Sequence, residues 1–551
     1  MKISIILTNG QRLEREYASK TSALKILAGL DLKLPHQVIL CKVDNAYRSL
    51  THVVTRDCEI EYLDMTNNYA WLCYQASLVF LFRVAAKQVI GKDIFAVTNS
   101  LNKGLFIKVK GTIGEEQIRL IEAKMQEMVK EKLPIVKKHS NSHDVMNLLN
   151  SSGDKSRLKL FDSFSDLRDV EVFELANERE LFYDLLVPDT SYLAKFELLP
   201  YRKGLLLRYP HISDPERIPE YEDQKLIYDT FSEATRWGHL MGVDYVADLN
   251  AKIRNNDYKD MILMQEALFE KKISDIADEI KEAGKRIILI CGPSSSGKTS
   301  LANRLCIQLK VLGLKPLYLG TDDYFLEREE TPILPNGEKD YESIRAIDLK
   351  LFNQQMNDLL AGREVDLPTF DFIDGHKKYG KRITSISSNQ PIVIEGIHAL
   401  NELLTSDIAD SEKFKIYISP LTSLNIDSYN RIPTTDARML RRMVRDYRSR
   451  GRSAEVTIAD WPKVRAGEDI NIFPYYNKAD VLFNTNYIYE LAILKKKAEP
   501  LLKQVGRDKK EYGEAQRLLS FLRFFEPLED DSLIANNSIL REFIGGSVFV
   551  D

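Results

Sequence analysis

Short alternating runs of apolar and polar residues fill the first 64 positions of the chain. "KISIIL", "QVILCKVDN" and "CEIEYLDM" have the alternation of half-buried strands, and "ASKTSALKILAGL" has helical spacing behind a Ser or Thr that can cap its start. The pattern predicts a compact α+β module over residues 1–64.

Longer elements follow between residues 65 and 210. The pattern predicts an apolar helix over 69–90, strands at "GLFIKVKG" and "GLLLRYP", and a helix of 3.6-residue period at "EEQIRLIEAKMQEMVKEKL". These elements indicate a second α+β domain over 65–210. Residues 211–285 begin with a proline-bearing loop and continue as helical sequence, so we expect a helical connector there.

After residue 286 apolar runs alternate with helical stretches. The apolar runs are "RIILIC", "LYLG", "PIVIEG", "FKIYIS" and "ADVLFN", and this order is typical of parallel βαβ construction. The pattern predicts an α/β domain over 286–551 with a parallel sheet and a helical C-terminal extension. The expected fold class is therefore multidomain, with an α+β N-terminal half in front of an α/β domain.

Composition agrees with several domains and argues against some classes of function. The 551 residues include 77 basic and 81 acidic ones, and the net charge of -4 disfavours a general binder of nucleic acid or anionic membranes. The five cysteines form no CxxC pair and have no regular spacing, which disfavours a disulfide framework or a zinc knuckle. We expect a protein of the reducing cytoplasm.

No segment has the pattern of a membrane or targeting element. Residues 1–30 lack the basic start, apolar run and cleavage site of a signal peptide. The most apolar run, "YQASLVFLFRVAA" at 74–86, is short and contains Arg83. A buried helix is the better interpretation of that run.

The sequence "GPSSSGKT" matches G-x-x-x-x-G-K-[ST] and lies between a predicted strand and a predicted helix. Its glycines let backbone N–H groups face a phosphate, and the helix N-terminus adds the positive end of its dipole. Lys298 would reach the outer phosphates, and Thr299 would bind magnesium. The motif predicts a nucleoside-triphosphate site, with ATP and Mg²⁺ as cofactors, in a loop (the P-loop) made of Gly292, Pro293, Ser294, Ser295, Ser296, Gly297, Lys298 and Thr299.

Acidic residues follow two of the later strands. "LYLGTDDYF" ends with Asp322 and Asp323, and "PIVIEG" ends with Glu395. The carboxyl ends of strands in a parallel sheet lie beside the P-loop, so Glu395 is a candidate for the magnesium site and one Asp is a candidate to accept a proton. Taken alone, an acidic pair after a strand is more often a turn or a helix cap.

The segment "DARMLRRMVRDYRSRGR" at 436–452 concentrates arginines on a predicted helix and its end. Arginines three and four residues apart share a helix face and can bind phosphate in pairs. A solvated basic helix or a nucleic-acid patch fits this segment equally well by itself. Beside a P-loop, a lid that closes on the transferred phosphate is the better interpretation, with Arg438, Arg441, Arg442, Arg445, Arg448, Arg450 and Arg452 as its cations.

In this order the motifs of residues 286–490 resemble the uridine kinase and phosphoribulokinase family of P-loop kinases. The resemblance implies that Asp322 in "TDDYF" is the general base and that Glu342 in "DYESIRAID" holds the ribose hydroxyls. "LPTFDFIDGHKKYG" resembles the block around the base, with Phe370, Phe372 and His376, although it has one residue more than the family pattern between Phe372 and His376. The two phenylalanines fit a core strand equally well, and the histidine fits a polar turn.

The N-terminal half resembles parts of threonyl-tRNA synthetase. Residues 1–64 are similar to its ubiquitin-like TGS domain, and residues 65–210 are similar to its second additional domain, which edits mischarged tRNA at a metal site. Asn67 and Trp71 stand where that domain has its paired histidines, and neither is a plausible zinc ligand. The resemblance therefore implies a binding or structural role without editing hydrolysis.

Together the resemblances imply an ATP- and magnesium-dependent kinase for the 5′-hydroxyl of uridine or cytidine, in pyrimidine salvage. Magnesium is expected at Thr299, Asp322 and Glu395. Catalysis is expected from Asp322, Lys298, Arg438, Arg441, Arg442 and Arg445. The nucleoside is expected at Glu342, Phe370, Phe372, His376, Arg450 and Arg452.

Alternatives to this function remain open from the sequence. Phosphoryl transfer to a different small hydroxyl acceptor, such as a sugar phosphate or pantothenate, fits the same motifs. A nucleotide-sensing regulator whose N-terminal half contacts RNA is a second alternative, although that half has no dense basic stripe with interleaved aromatic residues. The related small kinases form oligomers, so a homo-oligomer is a further expectation of the resemblance.

Overall fold

A computed structural model describes residues 1–18, 20–138, 142–152, 155–161, 171–334 and 337–550. The first 64 residues form a five-stranded sheet of order β2-β1-β7-β4-β5, in which only β1 and β7 run parallel. Ile3 and Ile5 face the buried side of helix α1, whose first turn is capped by the Ser22 hydroxyl. The elements are β1 Lys2–Ile6, β2 Arg12–Glu16, β3 Thr21–Ser22, α1 Ala23–Ala28, β4 Val38–Val43, β5 Ala46–Ser49, β6 Val53–Val54 and β7 Cys58–Asp64.

Residues 65–210 form a second α+β arrangement around one long apolar helix. Its two sheets have the strand orders β13-β14-β9-β8 and β10-β11-β12. The elements are α2 Asn68–Ile90, β8 Phe95–Leu101, β9 Gly104–Val109, α3 Glu115–Lys130, β10 Val136–Lys138, α4 Ser142–Ser152, α5 Lys155–Phe161, β11 Val172–Leu175, β12 Glu178–Leu181, β13 Glu197–Tyr201 and β14 Gly204–Arg208.

Helix α2 is the one helix in the described part of the chain that is long and apolar enough to cross a membrane. Of its most apolar 18-residue window, 89% is buried inside the protein. Arg83 lies within this helix and pairs with the buried carboxylate of Glu180 at 2.6 Å. The helix therefore has the burial of a core helix.

Residues 211–285 contain the helices α6 Lys225–Leu240, α7 Val246–Arg254 and α8 Lys259–Glu282. Phe269, Ile273 and Ile276 of α8 belong to the same apolar core as Ile288 and Ile290 of the next strand. The expected connector is therefore not a link between domains, because its last two helices form part of the core of the C-terminal unit.

The C-terminal unit is built on a fully parallel sheet of order β16-β21-β15-β22-β23. Strand β15 is central and buried along its whole length, as its run of five apolar residues predicts. The elements are β15 Ile287–Cys291, α9 Lys298–Val311, β16 Leu317–Gly320, α10 Leu349–Leu360, β17 Val365–Asp366, β18 Thr369–Asp371, β19 His376–Lys378, β20 Ile383–Thr384, β21 Ile392–Glu395, β22 Lys413–Ser419, α11 Thr434–Arg450, α12 Ala454–Asn471, β23 Val481–Asn484, α13 Glu490–Lys503, α14 Tyr512–Leu522 and α15 Arg541–Ile544.

Candidate active site

The P-loop connects the end of β15 to the start of α9 at the carboxyl edge of the sheet. Two of its residues have left-handed backbone conformations, Ser295 with a φ of 59° and Gly297 with a φ of 88°. The Lys298 Nζ donates to the carbonyl oxygens of Gly292 at 3.0 Å and Pro293 at 3.3 Å. The lysine side chain thus spans the P-loop from its last residues to its first, and a bound phosphate would contact its ammonium group.

Polar atoms of the P-loop are left without partners inside the protein. Ser295 and Ser296 are buried, and within the described part of the chain their hydroxyls form no hydrogen bond. An unpaired buried hydroxyl costs free energy unless a ligand or water meets it. Together with the positive end of the α9 dipole, these hydroxyls fit a phosphate chain.

The carboxylate of Glu395, at the end of β21, adjoins the first turn of α9. Its Oε1 accepts hydrogen bonds from the Thr299 hydroxyl at 3.1 Å and the Tyr318 hydroxyl at 3.2 Å. Burial raises the pKa of Glu395 to about 7, against the opposing effect of the Lys298 charge. A divalent cation beside this group would favour its ionised form.

Asp322 and Asp323 follow β16 but have different surroundings. Asp323 is bound by the Arg382 guanidinium, with Nη1 2.7 Å from Oδ2. Asp322 opens toward solvent in the cleft beside Lys298. Partial burial raises its pKa, Lys298 opposes this rise, and the charge of Asp323 adds to it. Of these two carboxylates, Asp323 is bound by an arginine, whereas Asp322 is the one that feels the charge of the P-loop lysine.

The predicted lid helix is α11, and its arginines have two kinds of surroundings. Arg438 is buried in an ion pair with Glu468 and donates to the Ser294 carbonyl at 3.0 and 3.1 Å. Arg441 is buried in an ion pair with Glu490 and donates to the Ser295 carbonyl at 3.4 Å. This placement differs from the predicted phosphate-clamping face, because both guanidinium groups are turned to carboxylates and to the backbone of the P-loop.

Arg442 and Arg445 are half-buried arginines of α11, and only Arg442 contacts a P-loop side chain among the described residues. Arg442 Nη1 is 2.9 Å from the Ser294 hydroxyl. Burial lowers the pKa of Arg442, and the charges of Arg445 and Arg450 lower it further, while Asp446 opposes them. Arg445 is 2.8 Å from the buried carboxylate of Asp446. Arg442 is therefore the member of the predicted set whose guanidinium group lies beside a P-loop hydroxyl, while Arg445 is held by Asp446.

Arg450 and Arg452 are farther along the lid. Arg450 is largely exposed and lies 3.5 Å from Asp446, and Arg452 pairs with Asp460 at 2.9 Å. The structure therefore does not bring this pair together with the P-loop residues.

The residues expected to meet the nucleoside have different surroundings in the structure. Burial raises the pKa of Glu342, and the charges of Arg442 and Lys298 oppose the rise, so this carboxylate lies near both cations. Phe370 is buried against Phe325, with ring centres 5.7 Å apart, which is the core placement named as an alternative above. Phe372 is 61% exposed, and His376 lies at the surface with Nδ1 2.7 Å from Glu327.

Several residues at the site had no signal in the sequence. Glu468, Glu490 and Arg382 hold Arg438, Arg441 and Asp323, at separations of 30, 49 and 59 residues. Glu542, near the C-terminus, accepts a hydrogen bond from the Ser300 hydroxyl at 2.7 Å. No local motif marks these partners, since each contact depends on the tertiary fold.

The two positions compared with the editing metal site have structural roles in this chain. The Asn67 side chain caps α2 by accepting from the backbone N–H groups of Tyr69 and Ala70 at 3.0 and 3.2 Å. Trp71 Nε1 donates to the Pro210 carbonyl at 3.0 Å. Neither side chain offers a metal-binding atom toward a shared centre.

Comparison with known proteins shows which protein family this chain is similar to. The model of the Phosphoribulokinase / Uridine kinase family matches residues 287–488. A uridine kinase from Macrococcus caseolyticus is 30% identical over 197 residues, which are 36% of this chain and 86% of that protein. A uridine kinase from Staphylococcus haemolyticus is 31% identical over 182 residues, which are 33% of this chain and 78% of that protein.

One solved structure with similarity to this chain is a possible uridine kinase from Bacillus stearothermophilus. It has 21% sequence identity and a TM-score of 0.27, over 39% of this chain and 98% of that chain. The residues that the family model matches include the P-loop, Asp322, Glu395 and the lid helix.

Proposed function

Because the chain belongs to the phosphoribulokinase/uridine kinase family, and is thus a P-loop phosphotransferase with a hydroxyl acceptor, we propose that it phosphorylates the 5′-hydroxyl of uridine or cytidine with ATP. The observation that carries this proposal is the convergence of Lys298, Asp322 and Glu395 at the carboxyl edge of one parallel sheet. The names of the uridine kinase relatives support the choice of a nucleoside acceptor.

The donor site in this proposal is the P-loop. Its backbone N–H groups and the N-terminus of α9 hold the phosphates, and Lys298 leaves the carbonyl oxygens of Gly292 and Pro293 to meet the outer ones. The unpaired hydroxyls of Ser295 and Ser296 support a ligand rich in acceptor oxygens.

Thr299 and Glu395 would hold Mg²⁺. Their side-chain oxygens are 3.1 Å apart at the loop mouth, and oxygen is the ligand that this hard cation prefers. The described residues contain no cluster of three or more His, Cys, Asp or Glu with metal-binding geometry. Few protein ligands suit Mg²⁺, which keeps waters and binds phosphate oxygens. When bound, the ion offsets the charge on the outer phosphates.

Asp322 is the proposed general base. It accepts the proton of the acceptor hydroxyl while the oxygen forms a bond to the γ-phosphorus and the bond from that phosphorus to the bridging oxygen breaks, which releases ADP. The ion pair of Asp323 with Arg382 supports the assignment, because it leaves Asp322 as the carboxylate available to a substrate.

The arginines divide between positioning and charge neutralisation. We assign Arg438 and Arg441 to positioning, since their guanidinium groups hold the carbonyl oxygens of Ser294 and Ser295. Arg442 and Arg445 are the proposed partners of the transferred phosphate. Transfer depends mainly on position and electrostatics, so fixing the loop and supplying cations are both required.

Glu342, Phe372 and His376 are the proposed contacts of the nucleoside. The roles of Phe370, Arg450 and Arg452 in substrate binding stay predictions. Their burial or ion pairs assign them other contacts in this conformation.

The N-terminal half is proposed to consist of a TGS-like domain at 1–64 and an editing-type domain at 65–210 without its metal site. The structural use of Asn67 and Trp71 supports the second part of this proposal. A cytoplasmic location belongs to the same proposal and rests on the scattered free cysteines.

An acceptor panel with the full chain tests the proposed function. Release of ADP is measured with uridine, cytidine, purine nucleosides, a sugar phosphate and pantothenate. We expect the two pyrimidine nucleosides to give the highest kcat/KM. A higher value for the sugar phosphate or pantothenate would replace the proposed acceptor, and RNA retention without any ADP release would favour a regulator.

A further inference from the structure

The C-terminal segment 538–544 packs against the P-loop although it lies beyond the residues that match the family model. Ile539, Leu540 and Phe543 of this segment are fully buried. A Cβ at position 297 would lie only 2.3 Å from Ile539 Cγ2, and Gly297 also has a positive φ. The segment therefore forms one wall of the P-loop, and burial of three large apolar side chains holds it there.

This wall contributes one carboxylate to the first turn of α9. Glu542 Oε2 accepts from the Ser300 hydroxyl at 2.7 Å and lies 3.4 Å from the Ser300 backbone N–H. Ser300 is the third residue of α9, so its N–H is one of the donors that a helix N-terminus offers to anions. The carboxylate thus lies at the first turn of α9, which belongs to the proposed donor site.

The segment is fixed by hydrogen bonds at its start and at Glu542 itself. The Tyr487 hydroxyl is 2.9 Å from Ser538 Oγ and accepts from the Ile539 N–H at 3.2 Å. Arg448 Nη2 donates to the Glu542 backbone carbonyl at 3.3 Å. Arg448 therefore binds the backbone carbonyl of Glu542, and the Glu542 carboxylate is bound by Ser300.

Glu542 is a buried carboxylate that no cation contacts within the part of the chain that the structure describes. The side chain is 7% exposed, and across the described ranges of the chain its oxygens form no ion pair. A buried carboxylate without a cation is uncommon because removing the charge from water is costly. Glu395, the other carboxylate near this turn of α9, is part of the proposed magnesium site.

We propose that Glu542 is a positioning and specificity residue of the donor site, which holds the first turn of α9 through Ser300 and selects the magnesium complex of the nucleotide over the metal-free form. The inference rests on the proposed donor site. A metal-free triphosphate has more negative charge than its magnesium complex, and is therefore repelled more strongly by the carboxylate.

The test measures ATP binding to the full chain by titration calorimetry, once with magnesium and once with EDTA. Glu542→Gln keeps an oxygen that accepts from Ser300 but removes the charge. We expect metal-free ATP to bind about tenfold more tightly to this variant than to the wild type, with a much smaller change for the magnesium complex. An unchanged ratio of the two dissociation constants overturns the proposal.

Two further variants separate charge from structure. Ser300→Ala removes the hydrogen bond and keeps the charge, so we expect the wild-type preference for the magnesium complex to persist. Glu529→Gln changes an exposed carboxylate of the same C-terminal region and should leave both constants unchanged. If Glu529→Gln shifts the ratio as Glu542→Gln does, the effect is a general charge effect and the proposal is wrong.

The binding test is independent of the acceptor. If nucleosides are not phosphorylated but the ratio shifts as expected, the acceptor assignment fails and the role of Glu542 stands. If ATP binds in neither condition, both the donor site and the role of Glu542 are contradicted. Thermal unfolding of each variant, compared with the wild type, shows whether a loss of binding comes from a loss of fold.

Discussion

The three carboxylates around the P-loop have different neighbours. Asp323 has Arg382 bound to it, whereas Asp322 has the more distant charge of Lys298 and Glu395 is buried beside Thr299. Opposite charge stabilises the ionised form and burial destabilises it. The three groups therefore suit three roles: a structural ion pair, a proton acceptor and a magnesium ligand.

Exchange of Asp322 for asparagine tests its role as proton acceptor. We expect Asp322→Asn to lower kcat by roughly 100- to 10,000-fold, the usual contribution of a general base, with little change in ATP affinity. Asp323→Asn is the matched control, and its effect should appear mainly in the free energy of unfolding because it breaks the ion pair with Arg382. Equal kcat values for the two variants would contradict the assignment.

The raised pKa of Glu395 predicts a dependence of stability on pH. Its pKa is about 7 in the folded protein and near 4.5 in the unfolded chain, so the folded state binds this proton more tightly. Without magnesium, the contribution is fully present below pH 4.5 and is lost as the pH rises through 7. Glu395→Gln removes this titratable group. As the pH rises across that window, the free energy of unfolding of the variant should increase relative to that of the wild type by up to roughly 3 kcal/mol.

Urea unfolding at pH values that span this window measures the difference between Glu395→Gln and the wild type. Magnesium with ATP should reduce the gain, since a bound cation favours the ionised carboxylate in the wild type. A difference that does not change with pH would show that Glu395 has an ordinary pKa.

Helix α11 is attached to the P-loop by two of its arginines. Two arginines of the helix are bound to loop carbonyl oxygens and to the buried carboxylates of Glu468 and Glu490. Loss of one partner of a buried ion pair leaves an uncompensated charge. The lid helix is thus anchored at its base, and only its cleft-facing side is free to meet a substrate.

This division predicts different effects of two arginine substitutions. Arg441→Leu leaves Glu490 buried without its cation and should lower the free energy of unfolding by about 3–5 kcal/mol. Arg445→Ala leaves Asp446 with Arg442 and Arg450, so stability should change little while kcat falls. Chemical unfolding and steady-state kinetics of both variants provide the measurements, and the reverse pattern would contradict the division.

Local elements of this chain can be predicted from its sequence, whereas the partners of its buried side chains cannot. The strand and helix around "GPSSSGKT" are predicted because burial on both faces makes β15 uniformly apolar and the glycine loop is a local signal. The spacing of Arg438 and Arg441 predicts a shared helix face. It does not reveal that this face meets Glu468 and Glu490, because those partners come from other elements.

At the scale of the whole molecule, the N-terminal half supports the chain that leads into the lid. Asn425, just after β22, donates to the carbonyl oxygens of Val97 and Thr98 at 3.2 and 2.8 Å. Asp427 is buried against Arg157, with Nε 2.9 Å from Oδ2, and Arg157 also pairs with Glu180. These contacts bind the strand β8 and the helix α5 to the segment that precedes α11. The N-terminal half therefore contacts the chain that leads into the lid helix of the active site.

Exchange of Asp427 for asparagine tests this link. The substitution leaves Arg157 with one carboxylate fewer, so we expect a loss of several kcal/mol in the free energy of unfolding. The segment that leads into α11 would move, so kcat should fall. ATP affinity should fall less, because it depends on the P-loop. Lys87→Ala is the control, since its ion pair with Glu178 is more exposed and lies within the N-terminal half.

The most direct test of the central claim is the identity of the product that the full chain makes from uridine and ATP. Mass spectrometry of the reaction should show a nucleoside 5′-monophosphate and ADP in equal amounts, with no transfer to 5′-deoxyuridine and almost none by the Asp322→Asn variant. Phosphorylation of 5′-deoxyuridine at the same rate, or ADP release without a phosphorylated nucleoside, would contradict the account.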